Sequence, residues 1–292
     1  MSSKGIIAVV GTGTMGRGIA QLAAGAGFKV HLFDGDATQV DQAMSHIERS
    51  TARRVEKGKC SEEERRSLLG NLESYSLLNQ ACAGAELVLE AIAEDLDVKV
   101  GVLAQARESA LPDAVLASNT SSLSITELGA RLRSGKRTVG MHFFNPPTVM
   151  QLLEIVRGLH TTPETVERAR RYAGAFGKTA IVVVDSPGFA TSRLGLVIGA
   201  EAMRMLETGV ASVADIDRAM ELGYRHPMGP LKLSDLVGLD VRLAILEHLH
   251  REIGEQFRPP AILRQMVRAG WLGKKTGRGF YRWTDDGPVE VL

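Results

Sequence analysis

Cysteine is almost missing from this chain: Cys60 and Cys82 are the only two in 292 residues. Two thiols exclude a disulfide framework and any CxxC-type zinc site, and they point to a reducing compartment. Neither thiol has a histidine or cysteine at a useful spacing, so no metal site is expected. Aromatic residues are scarce at 5%. The group near the end, Trp271 with Phe280, Tyr281 and Trp283, reads as packing rather than as a base-stacking platform. Charge of one sign is missing too. Lysine plus arginine is 35 and aspartate plus glutamate is 34, a formal net charge of +1. That balance gives no field for holding a nucleic-acid backbone. No apolar run approaches the roughly 18 residues of a membrane span. The run at Ile6–Val10 leads into a glycine loop rather than a cleavage site, so a signal peptide is not expected. The expectation is a protein of the cytoplasm with no nucleic-acid or membrane partner.

What is present is ordinary globular material, 44% hydrophobic and 24% charged, long enough for one large domain or two smaller ones. Ile6–Val10, Lys29–Phe33, Leu87–Ala91, Val115–Ser118, Thr138–His142 and Thr179–Val184 are short, continuous and rich in Val, Ile and Leu, the pattern of buried strands. Helical segments lie between them. Ser61 with Glu64 and Ser124 with Glu127 fit capping boxes, and Thr162-Pro163 fits an N-cap followed by proline. Alternating strands and helices predict an α/β fold, a Rossmann-type, doubly wound and mostly parallel sheet. After Val184 the pattern changes. The turn-rich DSPGF (Asp185 to Phe189) is followed by helical spacing over Ser192–Glu207, Ser212–Leu222 and Ser234–Ile253, with no convincing strand before Phe280. We expect a first domain over residues 1–185 and an all-α domain over 186–292.

The first strand runs into Gly11-Thr-Gly13-Thr14-Met15-Gly16. In such a loop Gly11 permits the tight turn, Gly13 lets a pyrophosphate approach the backbone, and Gly16 lets the helix pack on the strand. Free N–H groups at the helix start then face the phosphates. The next strand ends at Asp34, 18 residues after Gly16, about where a carboxylate meets the ribose hydroxyls. A carboxylate there repels a 2′-phosphate, and no arginine follows it directly, so NAD is favoured over NADP.

MHFFNPP (Met141 to Pro147) closes a strand on the edge where doubly wound folds bind ligands. Glu154, in the apolar stretch Leu152–Val156, needs a partner if it is buried. A carboxylate beside His142 fixes the ring tautomer and stabilises the imidazolium, which suits removal of a hydroxyl proton during alcohol oxidation. From spacing alone the pair stands beside a plainer alternative, a half-buried strand-end histidine and a surface glutamate. SNTSS (Ser118 to Ser122) could hold a substrate oxygen or merely open a helix. STARRVEKGK (Ser50 to Lys59) by itself reads as a solvated helix face.

Taken together, VGTGTMGRGIA, LVLEAIAEDLDVK, ASNTSSLSI, GMHFFNPPTVMQLLEIV, DSPGF, GYRHPMGPLKLSDLVGLD and GKKTGRGFYRW resemble the short-chain L-3-hydroxyacyl-CoA dehydrogenase family over nearly the whole chain. The resemblance implies NAD-dependent oxidation of an L-3-hydroxyacyl-CoA, 3-hydroxybutyryl-CoA among such substrates, with His142 as base, Glu154 as its partner and Ser121 on the substrate's 3-oxygen. It assigns Asn145, Glu94, Lys99 and Lys275 to NAD, joining Gly11, Gly13, Thr14, Met15, Gly16 and Asp34. Ser50 and Lys57 match positions that contact coenzyme A, whose phosphates suit the basic run. It also implies a homodimer joined through the helical domain, with substrate in the cleft between the two domains. One position departs: where the family reads PGFxxNR, this chain has Ser192 before Arg193, a shorter side chain with one polar atom near the substrate. Two rival readings are a relative acting on a free 3-hydroxy compound of the carnitine or gulonate type, and a non-catalytic NAD-binding structural protein.

Overall fold

A computed structural model describes residues 4–290, and it divides the chain into two compact units, Met1–Ser186 and Pro187–Leu292. The first unit is built on one eight-stranded sheet. Its apolar runs become β1 (Ile6–Val10), β2 (Lys29–Phe33), β4 (Leu87–Glu90), β5 (Val115–Ser118), β6 (Thr138–Phe143) and β8 (Thr179–Val184). β3 (Leu72–Ser74) and β7 (Leu152–Arg157) complete it, in the order β3-β2-β1-β4-β5-β6-β7-β8. The three residues of β3 are too few to carry a periodic signal. Every neighbouring pair is parallel except β6 with β7. The short loop from Phe144 to Gln151 turns the chain straight back, so β7 runs against β6 and β8 follows β7.

Helices α1 (Thr14–Gly25), α2 (Ala37–Glu56), α3 (Glu62–Leu69), α4 (Leu78–Cys82), α5 (Leu96–Ser109), α6 (Ile125–Arg131) and α7 (Pro163–Ala175) connect the strands. Their starts are chemically marked. Ser61 and Glu64 form the reciprocal capping box, Ser124 accepts from the Glu127 amide, and Thr162 accepts from the Thr165 amide ahead of Pro163 at the first turn. Strand side chains such as Val9, Leu32, Leu89, Val139 and Ile155 form a core with Ile19, Ala23, Val166 and Tyr172 from the helices.

The second unit has its own core, including Leu196, Met203, Leu231, Leu246, Leu263 and Phe280. Its helices are α8 (Thr191–Glu207), α9 (Val213–Arg218), α10 (Pro230–Val237), α11 (Leu239–Glu252) and α12 (Ala261–Arg268). The helical spacing over Ser234–Ile253 suggested one element; the structure breaks it at Gly238, whose φ of 103° no helix accommodates. A wider turn over Ala219–Gly223 ends the helix that the spacing extended to Leu222. The unit is not wholly helical. β9 (Tyr281–Thr284) and β10 (Gly287–Glu290) form an antiparallel hairpin, short enough to escape a periodicity argument.

Two buried carboxylates fix that hairpin. Asp235 accepts from the amides of Phe280 and Tyr281, both at 2.9 Å, and from Trp283 Nε1 at 3.0 Å. Asp217 accepts from the amides of Leu231 and Lys232 and from the Tyr281 hydroxyl. Burial pushes both carboxyls above the ordinary carboxylate value, against the pull of these bonds. Among the described residues no helix is long and apolar enough to cross a membrane. Asp235→Ala strands two buried amides and the part-buried Trp283 indole N–H at once, so it should lower the unfolding free energy by about 3 kcal/mol in denaturant titration. An unchanged midpoint would show that the hairpin does not depend on this carboxylate.

Candidate active site

The strand order reverses between β1 and β4, so the carboxyl ends of these two strands flank the crevice where doubly wound sheets take ligands. Gly11, directly after β1, has a φ of 91°; a Cβ there would sit 2.7 Å from the Ala91 carbonyl oxygen. A Cβ on Gly16 would fall 1.8 Å from the Gly11 carbonyl oxygen, so only glycine lets α1 start this close to the strand. A Cβ on Gly13 would meet nothing within 4 Å. Gly13 caps α1 without a side-chain bond, unlike the serine, threonine and aspartate caps of α2, α3, α5, α6 and α7. Thr14 and Met15 form the first turn, exposed and half-buried respectively. Backbone open on one side with uncapped N–H groups is a phosphate cradle. Asp34 follows β2 and is held in place: its Oδ2 accepts from the Thr12 amide at 2.7 Å and the Thr12 hydroxyl at 3.1 Å. These residues fit a dinucleotide with a free ribose 2′-hydroxyl.

Three strands along, β6 and β7 put His142 directly opposite Glu154. The register answers the question the spacing left open. Glu154 is 0% exposed and His142 is 7% exposed, and Nδ1 of the ring lies 2.7 Å from Glu154 Oε2. The ring also contacts Phe144, with centroids 4.6 Å apart. The Asn119 side chain accepts from the Phe143 amide at 3.0 Å, tying the end of β6 to the turn after β5. SNTSS therefore does more than open a helix.

Between these two places lies a polar hub, part of which the sequence reading missed. Glu90, the last residue of β4, is 0% exposed, and Lys99 on α5 is 1% exposed. The Lys99 ammonium lies 2.9 and 2.8 Å from the two Glu90 oxygens and 3.4 Å from Glu94 Oε2. The Ser118 hydroxyl donates to Glu90, and the Ile92 amide donates to it at 3.1 Å. Glu94 Oε1 gathers the turn after β5, accepting from the Thr120 hydroxyl at 2.7 Å, the Ser121 amide at 3.0 Å and the Ser122 hydroxyl at 3.0 Å. Burial raises the Glu94 pKa, but the Thr120 bond, the Lys99 charge and the remaining donors outweigh it, leaving it below the ordinary value. Lys99 was expected at the cofactor. The structure pairs its ammonium with Glu90 and Glu94 and leaves it almost no surface. The signal for Glu90 was available: a glutamate ending the apolar run LVLE invites the same question as Glu154 in LLEIV.

The other expected residues are more exposed. Asn145 is exposed in the loop after β6, and the half-buried Ser121 has its hydroxyl 3.5 Å from Glu94 Oε1. Ser50 is half-buried on α2 and Lys57 is exposed at its end. In the second unit, Ser192 is half-buried in the first turn of α8, and Lys275 pairs with Asp240 at 2.6 Å. Around α2 the field is positive. Burial, and then the charges of Arg17, Arg49 and Arg53, lower the His46 pKa from its ordinary value.

Comparison with known proteins supplies the family. A family model described as the NAD binding domain of 3-hydroxyacyl-CoA dehydrogenase matches residues 6–186, and one described as its C-terminal domain matches residues 188–283. The chain belongs to the 3-hydroxyacyl-CoA dehydrogenase family. It is an NAD-dependent oxidoreductase acting on the CH–OH group of 3-hydroxyacyl-CoA. It is 44% identical to a probable 3-hydroxybutyryl-CoA dehydrogenase of Bacillus subtilis, over 96% of this chain and 97% of that one. It is 39% identical to the 3-hydroxybutyryl-CoA dehydrogenase of Bradyrhizobium diazoefficiens, over 97% of each. Among solved structures, (S)-3-hydroxybutyryl-CoA dehydrogenase from Ralstonia eutropha superposes with a TM-score of 0.92 at 39% identity, covering 96% of this chain and 99% of that one.

The hub gives this dehydrogenase a testable dependency. Glu90→Gln leaves a buried ammonium with half its counter-charge, and the loss should be about 3–5 kcal/mol of stability. Glu90→Leu combined with Lys99→Met, which removes both charges, should recover part of that loss in the same denaturant titration. A single substitution that costs nothing would mean that the hub is not held by this ion pair.

Proposed function

We propose that the chain interconverts L-3-hydroxybutyryl-CoA and acetoacetyl-CoA, with His142 and Glu154 as its acid–base pair. The observation that carries this reading is the 2.7 Å contact between a nearly buried imidazole and a fully buried carboxylate at the carboxyl edge of the sheet. With Nδ1–H donated to Glu154, Nε2 is the ring atom that takes the proton of the 3-hydroxyl. The anion holds the ring in that tautomer and stabilises the imidazolium as it forms. Ser121 offers its hydroxyl to the same substrate oxygen. NAD, when bound, accepts the hydride from C3. In the reverse direction the imidazolium returns its proton to the 3-oxygen.

The remaining assignments follow the charges. The Gly11–Gly16 cradle, with Thr14 and Met15, takes the pyrophosphate, and Asp34 takes the adenosine ribose hydroxyls. Glu94 and Asn145 serve the nicotinamide side; Lys99 serves it indirectly, and Lys275 is a contribution of the second unit. Ser50, Lys57 and the positive field around α2 suit the phosphates of coenzyme A, which carnitine and gulonate lack. Ser192 is proposed for the acyl end. Exposed Leu194, Val197, Leu233, Leu236 and Val241 on α8, α10 and α11 support a homodimer joined through the second unit. Two thiols without a disulfide partner suit the cytoplasm.

His142→Gln should lower turnover with acetoacetyl-CoA and NADH by about 10²–10⁴-fold while leaving NADH affinity within a few fold, measured by stopped-flow and fluorescence titration. Near-normal turnover would remove His142 from the mechanism. Carnitine and gulonate run beside the acyl-CoA should be oxidised far more slowly, and a better rate with either would favour that rival. With Asp34 intact, NADPH should support at least tenfold lower kcat/KM than NADH, and Asp34→Ser should narrow that ratio. Equal use of both cofactors by the unaltered protein would refute the role given to Asp34.

A further inference from the structure

The loop from Phe144 to Gln151 carries Phe144, which contacts the His142 ring, and Asn145, yet it has little of its own to hold it in place. Pro146 and Pro147 bring no N–H to it. Its internal backbone bonds run from the Val149 and Met150 amides to the Pro146 carbonyl, both at 3.0 Å. Asn145, Pro146, Val149, Met150 and Gln151 are exposed, and Pro147 alone is buried. A segment with so few buried apolar contacts keeps one position only where something outside it fixes it.

Two outside contacts do so. On one side Pro147 packs against α1 at Gly18, where a Cβ would fall 2.9 Å from the Pro147 Cγ and Cδ atoms. Any larger residue at 18 would displace the proline. Gly18 belongs to the first turns of the helix that starts at the glycine cradle, so cradle and loop share one support. On the other side Lys178, between α7 and β8, gives its ammonium to the carbonyls of Pro147 at 2.6 Å and Met150 at 2.7 Å. Such charge-assisted bonds are roughly twice as strong as neutral ones. We propose that Lys178 is a positioning residue for the dehydrogenase reaction. With Gly18 it pins this loop, and through the loop it sets where Phe144 meets the His142 ring and where Asn145 meets the nicotinamide; this rests on the roles given above to His142 and Asn145.

The test compares Lys178→Met, Lys178→Arg, Gly18→Ala and Asn145→Ala with the unaltered full-length protein. Turnover is measured with acetoacetyl-CoA and NADH, and affinities for NADH and for ADP-ribose by titration. ADP-ribose is the cofactor without its nicotinamide, so its binding does not depend on the loop. Lys178→Met should lower kcat and weaken NADH by about tenfold each, since a slight misplacement by a distant residue suffices, with ADP-ribose affinity and the KM for acetoacetyl-CoA within about twofold of normal. Lys178→Arg keeps the charge and the donors and should restore most of the loss. Gly18→Ala pushes Pro147 from the opposite side and should give the same split, which keeps the question open to measurement if Lys178→Met fails to fold. Equal weakening of NADH and ADP-ribose, or no recovery with Lys178→Arg, would mean that the lysine only supports the fold and would overturn the proposal. Normal turnover and NADH affinity in Lys178→Met, beside weak NADH binding in Asn145→Ala, would overturn it while leaving the role of Asn145 intact. The split in Lys178→Met with normal NADH binding in Asn145→Ala would uphold the clamp and remove Asn145 from the nicotinamide.

Discussion

A carboxylate cannot sit inside a β-sheet alone. The cost of burying a charge forces it to find a partner, and for Glu154 that partner is set by strand direction. Had β7 run parallel to β6, a crossover connection would have carried it far from the end of β6 in sequence. The short turn after Phe144 makes the pair antiparallel, and the register then matches His142 with Glu154 across the ladder. Burial, geometry and chemistry are one fact here. The same carboxylate that needs an imidazole for its own stability gives that imidazole a fixed orientation.

Glu90 repeats this logic on β4, two strands from β6 in the same sheet. Its charge is compensated by Lys99, and the ammonium is shared with Glu94, which in turn collects the donors of the turn after β5. A chain of paired charges therefore runs from the end of β4 to the backbone of Ser121. Asn119 connects that turn to β6 through the Phe143 amide. The polar groups at this edge are fixed by one another, so little reorganisation is left for the moment of reaction.

The sequence made the large elements legible because their apolar runs are continuous and their helix starts are chemically marked by Ser61, Ser124 and Thr162. It hid what depends on partners distant in the chain. β7 was visible only as an apolar stretch around Glu154, since nothing local says which strand will face it. The break at Gly238 was invisible because apolar spacing continues on both sides of it. β9 and β10 owe their place to Asp235, which lies 45 residues before the first amide it accepts from. Lys99 shows another difficulty: nothing local in the sequence reveals that its ammonium is buried between Glu90 and Glu94.

Net charge is the least informative number about this molecule, because a balance near zero conceals a strong local separation. Asp34 and Glu94 stand at strand ends, where hydroxyl groups of a nucleotide have donors to offer. Arg17, Arg49 and Arg53 place positive charge around α2, where burial first and then these charges lower the His46 pKa. In the proposed binding mode, phosphate groups go to the glycine cradle and to α2 and keep away from Asp34. An acyl-CoA and a dinucleotide both carry phosphates and ribose, so a site that took either by general attraction would confuse them. On that proposal, carboxylates where only hydroxyls belong, and cations where only phosphates belong, would let one nearly neutral chain assign each molecule to its own place.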